Sequence, residues 1–353
     1  RSGPAEARHI QSYVELVRDA AITRRTIAEL NAGITDMLGG TPNREVRARI
    51  IRSLRDMRDG SGGNQIAAAL SDYYDQMTEF HENPLPPGVV RGLSSGYAAL
   101  DSLLRGMEPS LIISGARPSV GKTALWSQIA INVARQLRDQ EREVVYVTNE
   151  MTVTQLLERW TCAIMEVDRS DVRAGRLNPE RLAGYFNVLA EIQDLPIDIL
   201  YTNRLHDILE RGYAEPTPAF MVVDYLNKLR GGQGENRNQR FGEIAGALFD
   251  MAIDIEAPVA LLAQLNRQLE HRAADAMPVM EDLRDSGELE QIADVVLMLH
   301  RVTDDSSEHW DPHRLKVIKV KDRLNGGQGE KADLYFGKHG EIKSAHNTGG
   351  HYG

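Results

Sequence analysis

Apolar positions along this chain follow two regimes that change near residue 88. Before it they recur at helical spacing. Ile10, Tyr13, Val17 and Ala21 share one helical face. Val46, Ile50, Leu54 and Met57 share another, behind Thr41 as N-cap and Pro42 at the first helical position. After the breaker Asp59–Asn64, Ile66, Leu70, Tyr73, Met77 and Phe80 form a narrow stripe that needs a surface to dock on, in its own domain or on a neighbouring subunit. Pro84–Gly88 reads as a linker. From Val89 onward, short apolar runs alternate with helix-length segments: Leu111–Ser114, Val144–Thr148, Ile197–Leu200, Ala219–Val223, Pro258–Ala263 and Asp294–Leu299. Such runs suit strands buried on both faces, so an α/β fold with a mostly parallel central sheet is expected. Leu315–Lys321 and Lys331–Phe336 instead alternate apolar and polar residues around Asn325-Gly326-Gly327, which predicts an antiparallel hairpin at the sheet edge. The expected division is a helical segment over 1–58, a linker region over 59–88 and an α/β domain over 89–353.

Composition narrows the class. With 353 residues the chain can hold two domains. No apolar run approaches the ~20 residues that span a bilayer, so no membrane partner is expected. The lone Cys162 cannot form an internal disulfide, and this points to a reducing, intracellular (cytoplasmic) setting. The start, Arg-Ser-Gly-Pro without a methionine or signal pattern, suggests a truncated or processed chain. A net charge of −10 argues against a wholly basic, nucleic-acid-coating surface but leaves room for a local basic channel.

The chemistry concentrates between Ser110 and Ala130. The apolar run Leu111–Ile113 leads through Ala116, Arg117, Pro118, Ser119 and Val120 to Gly121, Lys122 and Thr123, and a helical pattern starts at Ala124. Strand, tight loop and helix in that order make a phosphate cradle from backbone N–H groups and a helix N-terminus. Gly121 admits close approach of phosphate, Lys122 reaches the terminal phosphates and the Thr123 hydroxyl can ligate Mg²⁺. The pattern G-x-x-x-x-G-K-[ST] would place its first glycine at Ala116, and Gly115 lies one residue early.

Three strand ends supply partners. Asp224 follows the apolar run Ala219–Val223 and would complete a Mg²⁺ site beside Thr123. Glu150 follows another strand and is placed to polarise an attacking water. Gln264 closes a third strand, where it either contacts a γ-phosphate or caps the strand. Arg323 and Lys321, at the start of the hairpin, read either as edge decoration or as an arginine finger reaching a neighbouring subunit's phosphate. Two loops are candidates for nucleic-acid contact: Arg230–Arg240, carrying Arg230, Arg237 and Arg240, and Asp282–Gly287, carrying Arg284. His300, His309 and His313 read as part of a solvated insertion rather than as metal ligands.

Together these residues resemble the DnaB-type replicative helicases within the RecA-like ATPases. The resemblance runs over Gly88–Ser344 and rests on GARPSVGKT, TNEM, VVDYL, AQLNRQLEHRA, DLRDSGELEQIADVVLMLHR and KVKDRLNGGQG in that order. Alanine at position 116 is common in that family, which accounts for the displaced glycine. The resemblance implies that Lys122 and Thr123 bind phosphate and Mg²⁺, that Glu150 is the catalytic base and Asp224 the Walker B acid, and that Gln264 senses the γ-phosphate. It likewise implies that Arg323, with Lys321, acts on the adjacent subunit's nucleotide, that Arg159 packs on the base, and that Arg284, Asp285, Ser286 and Gly287 grip single-stranded DNA in a central channel. The implied protein is an ATP-driven homohexamer tracking 5′ to 3′, with a primase and a loader as partners.

Three departures stand out. Thr148-Asn149-Glu150 replaces the usual Ser-Leu-Glu, Asp285 a Glu, and Asp322 a Gln beside the finger, where its carboxylate is expected to restrain Arg323. Ala5–Asn31 resembles the last part of the family's N-terminal domain, and the Ile66–Phe80 stripe its linker helix, which docks on the next subunit. Two rivals share the cradle. A RecA-like recombination ATPase would leave the linker stripe and the AQLNR and DLRDSG segments unexplained; a non-motor ATP-binding loader or scaffold would not need Glu150, Gln264 and Arg323 together.

Overall fold

The computed structural model describes residues 24, 27–28, 30–36, 39, 46, 65–86, 88–232, 234, 236–265, 277–280, 282–283, 287–301, 311 and 313–344. The chain divides into two compact units, Arg1–Leu85 and Pro86–Gly353. In the first, residues 30–36 are helical, Val46 is buried, and helix α1 spans Gln65–Glu82. That helix carries the predicted Ile66–Phe80 stripe, in which Leu70 and Tyr73 are exposed. The faces expected at Ile10–Ala21 and Ile50–Met57, with Thr41 and Pro42, lie outside the described residues.

The second unit is built on one nine-stranded sheet. Its strands are β1 (Leu111–Ala116), β2 (Glu143–Thr148), β3 (Ile197–Tyr201), β4 (Pro218–Asp224), β5 (Val259–Gln264), β6 (Val295–His300), β7 (Arg314–Asp322), β8 (Lys331–Phe336) and β9 (Ile342–Ser344). They lie in the order β3-β2-β4-β5-β1-β6-β7-β8-β9. Strands β1 to β6 pair in parallel, and β6 to β9 antiparallel. The expected sheet and its C-terminal hairpin are both present; β9, too short to leave a period, is an addition.

Helices cover both faces. Ahead of β1 comes α2 (Ala98–Leu104); then follow α3 (Lys122–Gln136), α4 (Val153–Met165), α5 (Arg169–Arg173), α6 (Pro179–Gln193), α7 (Leu205–Gly212), α8 (Arg237–Asp254) and α9 (Gly287–Ile292). Alternation along each strand sorts the core into two layers. Ile112, Val144, Tyr146 and Val222 pack with Trp126 of α3 and Trp160 of α4. Leu111, Ile113, Val145 and Val223 pack with Phe241, Leu248 and Met251 of α8. Local caps set several helix starts: Thr152 and Gln155 form a reciprocal capping box for α4, and Asn178 with Pro179 opens α6.

One loop differs from expectation. Arg230–Arg240 was expected to be irregular throughout, yet α8 begins at Arg237. Asn236 accepts from the Gln239 backbone N–H and the Gln239 side chain accepts from the Asn236 N–H, which starts the helix inside that stretch. Arg237 lies over the Phe241 ring at 5.0 Å, which ties the start of the helix to an aromatic side chain.

Candidate active site

Strand register decides which chemical groups meet. Ala116 at the end of β1 pairs with Gln264 at the end of β5, and Thr148 at the end of β2 pairs with Asp224 at the end of β4. The cradle, Glu150, Asp224 and Gln264 therefore leave the same edge of a parallel sheet, where α/β proteins place ligands. They line one cavity of about 570 Å³, together with Thr123 and Arg159.

The cradle shows why its glycine pattern is shifted. Ala116 is fully buried in β1, where a Cβ fits. Gly115 is a packing glycine: a Cβ there would come within 2.8 Å of Met298 Sδ and 2.9 Å of Leu265 Cδ2. Gly121 carries the functional demand. Its φ is +115°, and a Cβ would lie 2.6 Å from Phe336 Cε2. Ser119 also sits in the left-handed region, at φ +64°. Gly121 is the N-cap of α3 and offers no side-chain cap, which leaves first-turn N–H groups for an anion.

Around this loop the charges are arranged inward. Lys122 Nζ donates to the Ala263 carbonyl at 2.9 Å and lies 5.5 Å from the centre of the Tyr225 ring. Burial pulls the ammonium down to about 8, against the opposing pull of Asp224 and Glu150. Asp224 is 4% exposed. Burial pushes its carboxyl up, while Thr123, Lys122 and Tyr146 favour the ionised form. The Tyr146 hydroxyl donates to Asp224 Oδ2 at 3.2 Å, and Asp224 Oδ1 is buried without a hydrogen-bond partner of standard geometry. An orphaned carboxylate oxygen beside a threonine hydroxyl suits a small hard cation that takes its remaining ligands from phosphate and water. No group of three or more His, Cys, Asp or Glu side chains that could by itself hold a metal ion occurs among the described residues.

The side chain of Asn149 extends the β2–β4 pairing beyond the strands. Its amide donates to the Tyr225 carbonyl at 2.8 Å and accepts from the Tyr225 N–H at 3.2 Å, and its own N–H donates to the Asp224 carbonyl at 3.0 Å. A leucine here could make neither side-chain bond, so the Thr-Asn-Glu departure has a structural use.

Arg323 and Lys321 sit elsewhere, at the end of β7. Arg323 Nη1 is 3.2 Å from Asp294 Oδ1, Nη2 donates to the Gln291 carbonyl at 2.6 Å, and the Arg323 N–H donates to the Asp294 carbonyl at 2.8 Å. Lys321 Nζ donates to the carbonyls of Glu290 and Ala293. Both cations therefore cap the C-terminal end of α9, the end a helix dipole makes attractive to them. The expected restraint of Arg323 by Asp322 does not occur. Asp322 turns inward, 3.1 Å from the fully buried Lys319 Nζ, and accepts from the N–H groups of Leu324 and Asn325. Asp294, buried and also accepting from the Leu111 N–H at 3.2 Å, is the carboxylate that holds Arg323.

A family model for the DnaB-like helicase C terminal domain matches residues 92–342, which is most of the chain. The chain belongs to the DnaB-like helicase family. Among curated relatives it is 31% identical to the replicative DNA helicase DnaB of Geobacillus stearothermophilus, over 92% of this chain and 72% of that protein. It is 29% identical to the replicative DNA helicase DnaC of Bacillus subtilis, with the same two coverages. The solved ATPase domain of G40P superposes with a TM-score of 0.70 at 26% identity, covering 80% of this chain and 99% of that one. A DnaB-like replicative helicase solved in a study of its interactions with primase also superposes at 0.70, with 23% identity, covering 97% of this chain and 80% of that one; at that identity the likeness concerns the fold. The fold is thus the RecA-like ATPase core of DnaB-type helicases.

The structure brings Lys122, Thr123, Glu150, Arg159, Asp224 and Gln264 to one cavity and places other expected residues elsewhere. Arg284, Asp285, Ser286 and His309 lie outside the described residues. Gly287 opens α9. Arg230 is anchored through its N–H to the Asn203 carbonyl at 2.7 Å, and Arg240 occupies the first turn of α8. His300 is buried in β6, and His313 stacks on Tyr335 with its Nδ1 3.0 Å from the Phe336 carbonyl, so neither belongs to a solvated insertion. Missed were the cavity wall given by Phe336 of β8 and by Lys338, His339 and Gly340 in the β8–β9 turn, and Trp160 and Arg169 beside Arg159. Nothing local marks the wall, because β8 reaches the cradle only through its place in the sheet. Among the described residues no helix is long and apolar enough to cross a membrane.

Proposed function

We propose that this replicative-helicase family member is an ATP-driven motor on single-stranded DNA, working as a homohexameric ring with each nucleotide shared between neighbours. The observation that carries the reading is the convergence of the uncapped α3 N-terminus, Lys122, Thr123, Asp224, Glu150 and Gln264 on one cavity, while Arg323 is held at a different end of the same subunit. In this reading residues 116–124 bind the phosphates and Arg159 packs against the base. Thr123 and Asp224 would hold Mg²⁺, which when bound neutralises charge on the β- and γ-phosphates. Glu150 accepts a proton from the attacking water, and Gln264 orients that water and relays nucleotide state toward the DNA-facing loops. Arg323 exchanges Asp294 for a neighbour's γ-phosphate, with Lys321 beside it. Arg230, Arg237, Arg240 and residues 284–287 contact the DNA backbone.

The exposed Leu70 and Tyr73 on α1 suit docking on the next subunit. A primase partner belongs to the same proposal, supported by the relative solved in a study of its interactions with primase, and a loader is expected of a closed ring. On a forked duplex the protein separates strands when ATP and a 5′ single-stranded tail are both present. Vigorous ATP turnover without any strand separation, on either tail, would favour the non-motor reading.

The lowered Lys122 pKa gives a pH test. In the free protein the ammonium loses its proton near pH 8, and a bound triphosphate raises that value. Affinity for ATP is therefore level below about pH 8 and falls above it, by up to about tenfold per pH unit. Lys122→Arg, whose charge does not titrate in this range, flattens the curve. A wild-type affinity that stays level to about pH 9.5 would show either that burial does not lower the Lys122 pKa or that its charge does not hold phosphate, and the affinity of Lys122→Ala separates the two.

A further inference from the structure

The site has a support behind Asp224 that the reading above does not use. Tyr146 is fully buried in β2, with its ring in the layer beneath α3 and α4. Its hydroxyl is doubly engaged: Ser127 Oγ donates to it at 3.1 Å, and it donates to Asp224 Oδ2 at 3.2 Å. Ser127 is four residues after Thr123 on α3, so the two hydroxyls share a helix face. Trp160, a wall of the nucleotide cavity, meets the Tyr146 ring edge-on, with centroids 5.5 Å apart and planes at 82°. One phenol thus ties together the helix that starts at the cradle, the wall of the cavity and the acid at the end of β4.

We propose that Tyr146 is a positioning residue for the metal-side carboxylate: by occupying Asp224 Oδ2 it presents Oδ1 to the magnesium of a bound Mg–ATP. The inference rests on the reading of Thr123 and Asp224 as the metal pair. Three features carry it. Directionality is fixed, because Ser127 donates to the phenol and the phenol's single proton goes to Asp224. The two carboxylate oxygens are unequal: one accepts from Tyr146, and the other, on a carboxylate that Thr123 also favours, is buried without a hydrogen-bond partner of standard geometry. A carboxylate with one oxygen pinned keeps one rotamer, and partners of metal ligands act by orienting them.

The test is Tyr146→Phe in the full chain, which keeps the ring and its contact with Trp160 and removes one donor. The probe is a fluorescent, non-hydrolysable ATP analogue, titrated with magnesium and separately bound in EDTA. The free magnesium at half-saturation rises about tenfold, while affinity in EDTA stays within about twofold and the melting temperature within a few degrees. Unchanged magnesium dependence overturns the proposal. An equal loss in EDTA and in magnesium also overturns it, because that is the mark of a packing role. Should Tyr146→Phe fail to fold, Ser127→Ala removes the donor behind the phenol and shifts the magnesium requirement the same way by about two- to threefold; no shift overturns the relay. Wild-type protein that binds the analogue equally with and without magnesium would overturn the metal-pair reading first, and the role of Tyr146 with it.

Discussion

Lys122→Ala abolishes ATP turnover, a loss of at least about 10²–10³-fold. The side chain sits in a half-enclosed site where burial pulls its pKa to about 8, so its charge is poorly solvated and strongly available to phosphate. Arg117, Arg159, Arg169 and Lys338 also line the cavity, but Lys122 is the cation at the first position of α3, directly after the uncapped Gly121, and Arg323 is held by Asp294 at the end of β7. The substitution also removes a buried charge that costs desolvation energy, while it frees the Ala263 carbonyl from its 2.9 Å donor. These two effects oppose each other, so thermal stability changes little. Steady-state hydrolysis and a thermal melt on the same preparation separate the cases. Unfolding with lost activity would make Lys122 structural; a folded protein that keeps more than about a tenth of its turnover would remove it from the chemistry.

Arg323→Ala lowers turnover about 10³–10⁵-fold if the guanidinium is the arginine finger. Within one subunit it caps α9 and pairs with Asp294, the guanidinium side chain 48% exposed and the carboxylate 6%, so its loss weakens the fold without touching a nucleotide in the same subunit. A structural role therefore predicts a small effect, and a role in trans predicts a very large one. Mixing makes the distinction sharper. Rings assembled from Arg323→Ala and Glu150→Ala subunits contain some interfaces with an intact finger on one side and an intact Glu150 on the other. Recovered hydrolysis in the mixture, absent from either variant, marks a site shared across subunits. Mixed rings with no recovery would return Arg323 to edge decoration of the hairpin.

Much of this was legible before the structure, and the reasons differ by element. Strands β1, β2, β4 and β5 are buried on both faces, so they announce themselves as apolar runs, and Glu150 just past β2, Asp224 at the end of β4 and Gln264 at the end of β5 line the cavity. The hairpin was legible through alternation and its Asn-Gly-Gly turn. Three kinds of information stayed hidden. Asn149 and Tyr146 act sideways, across β2 to β4, and cross-strand register cannot be read from one strand. Phe336 and the His339-Gly340 turn reach the cradle only because β8 and β9 extend the sheet past β6 and β7. The carboxylate that holds Arg323 was misassigned to its neighbour Asp322, whose side chain turns to Lys319; Asp294, 29 residues upstream, became adjacent only when β6 paired with β7. Adjacency in sequence was a poor guide to charge pairing at a turn that reverses the chain.

The central claim is that one cavity couples ATP hydrolysis to single-stranded DNA. Steady-state ATP turnover by the wild-type protein, measured with magnesium in the presence and absence of single-stranded DNA, tests it most directly. The account predicts a severalfold or greater stimulation by the strand, lost in Lys122→Ala. Turnover that is brisk and indifferent to DNA would contradict it.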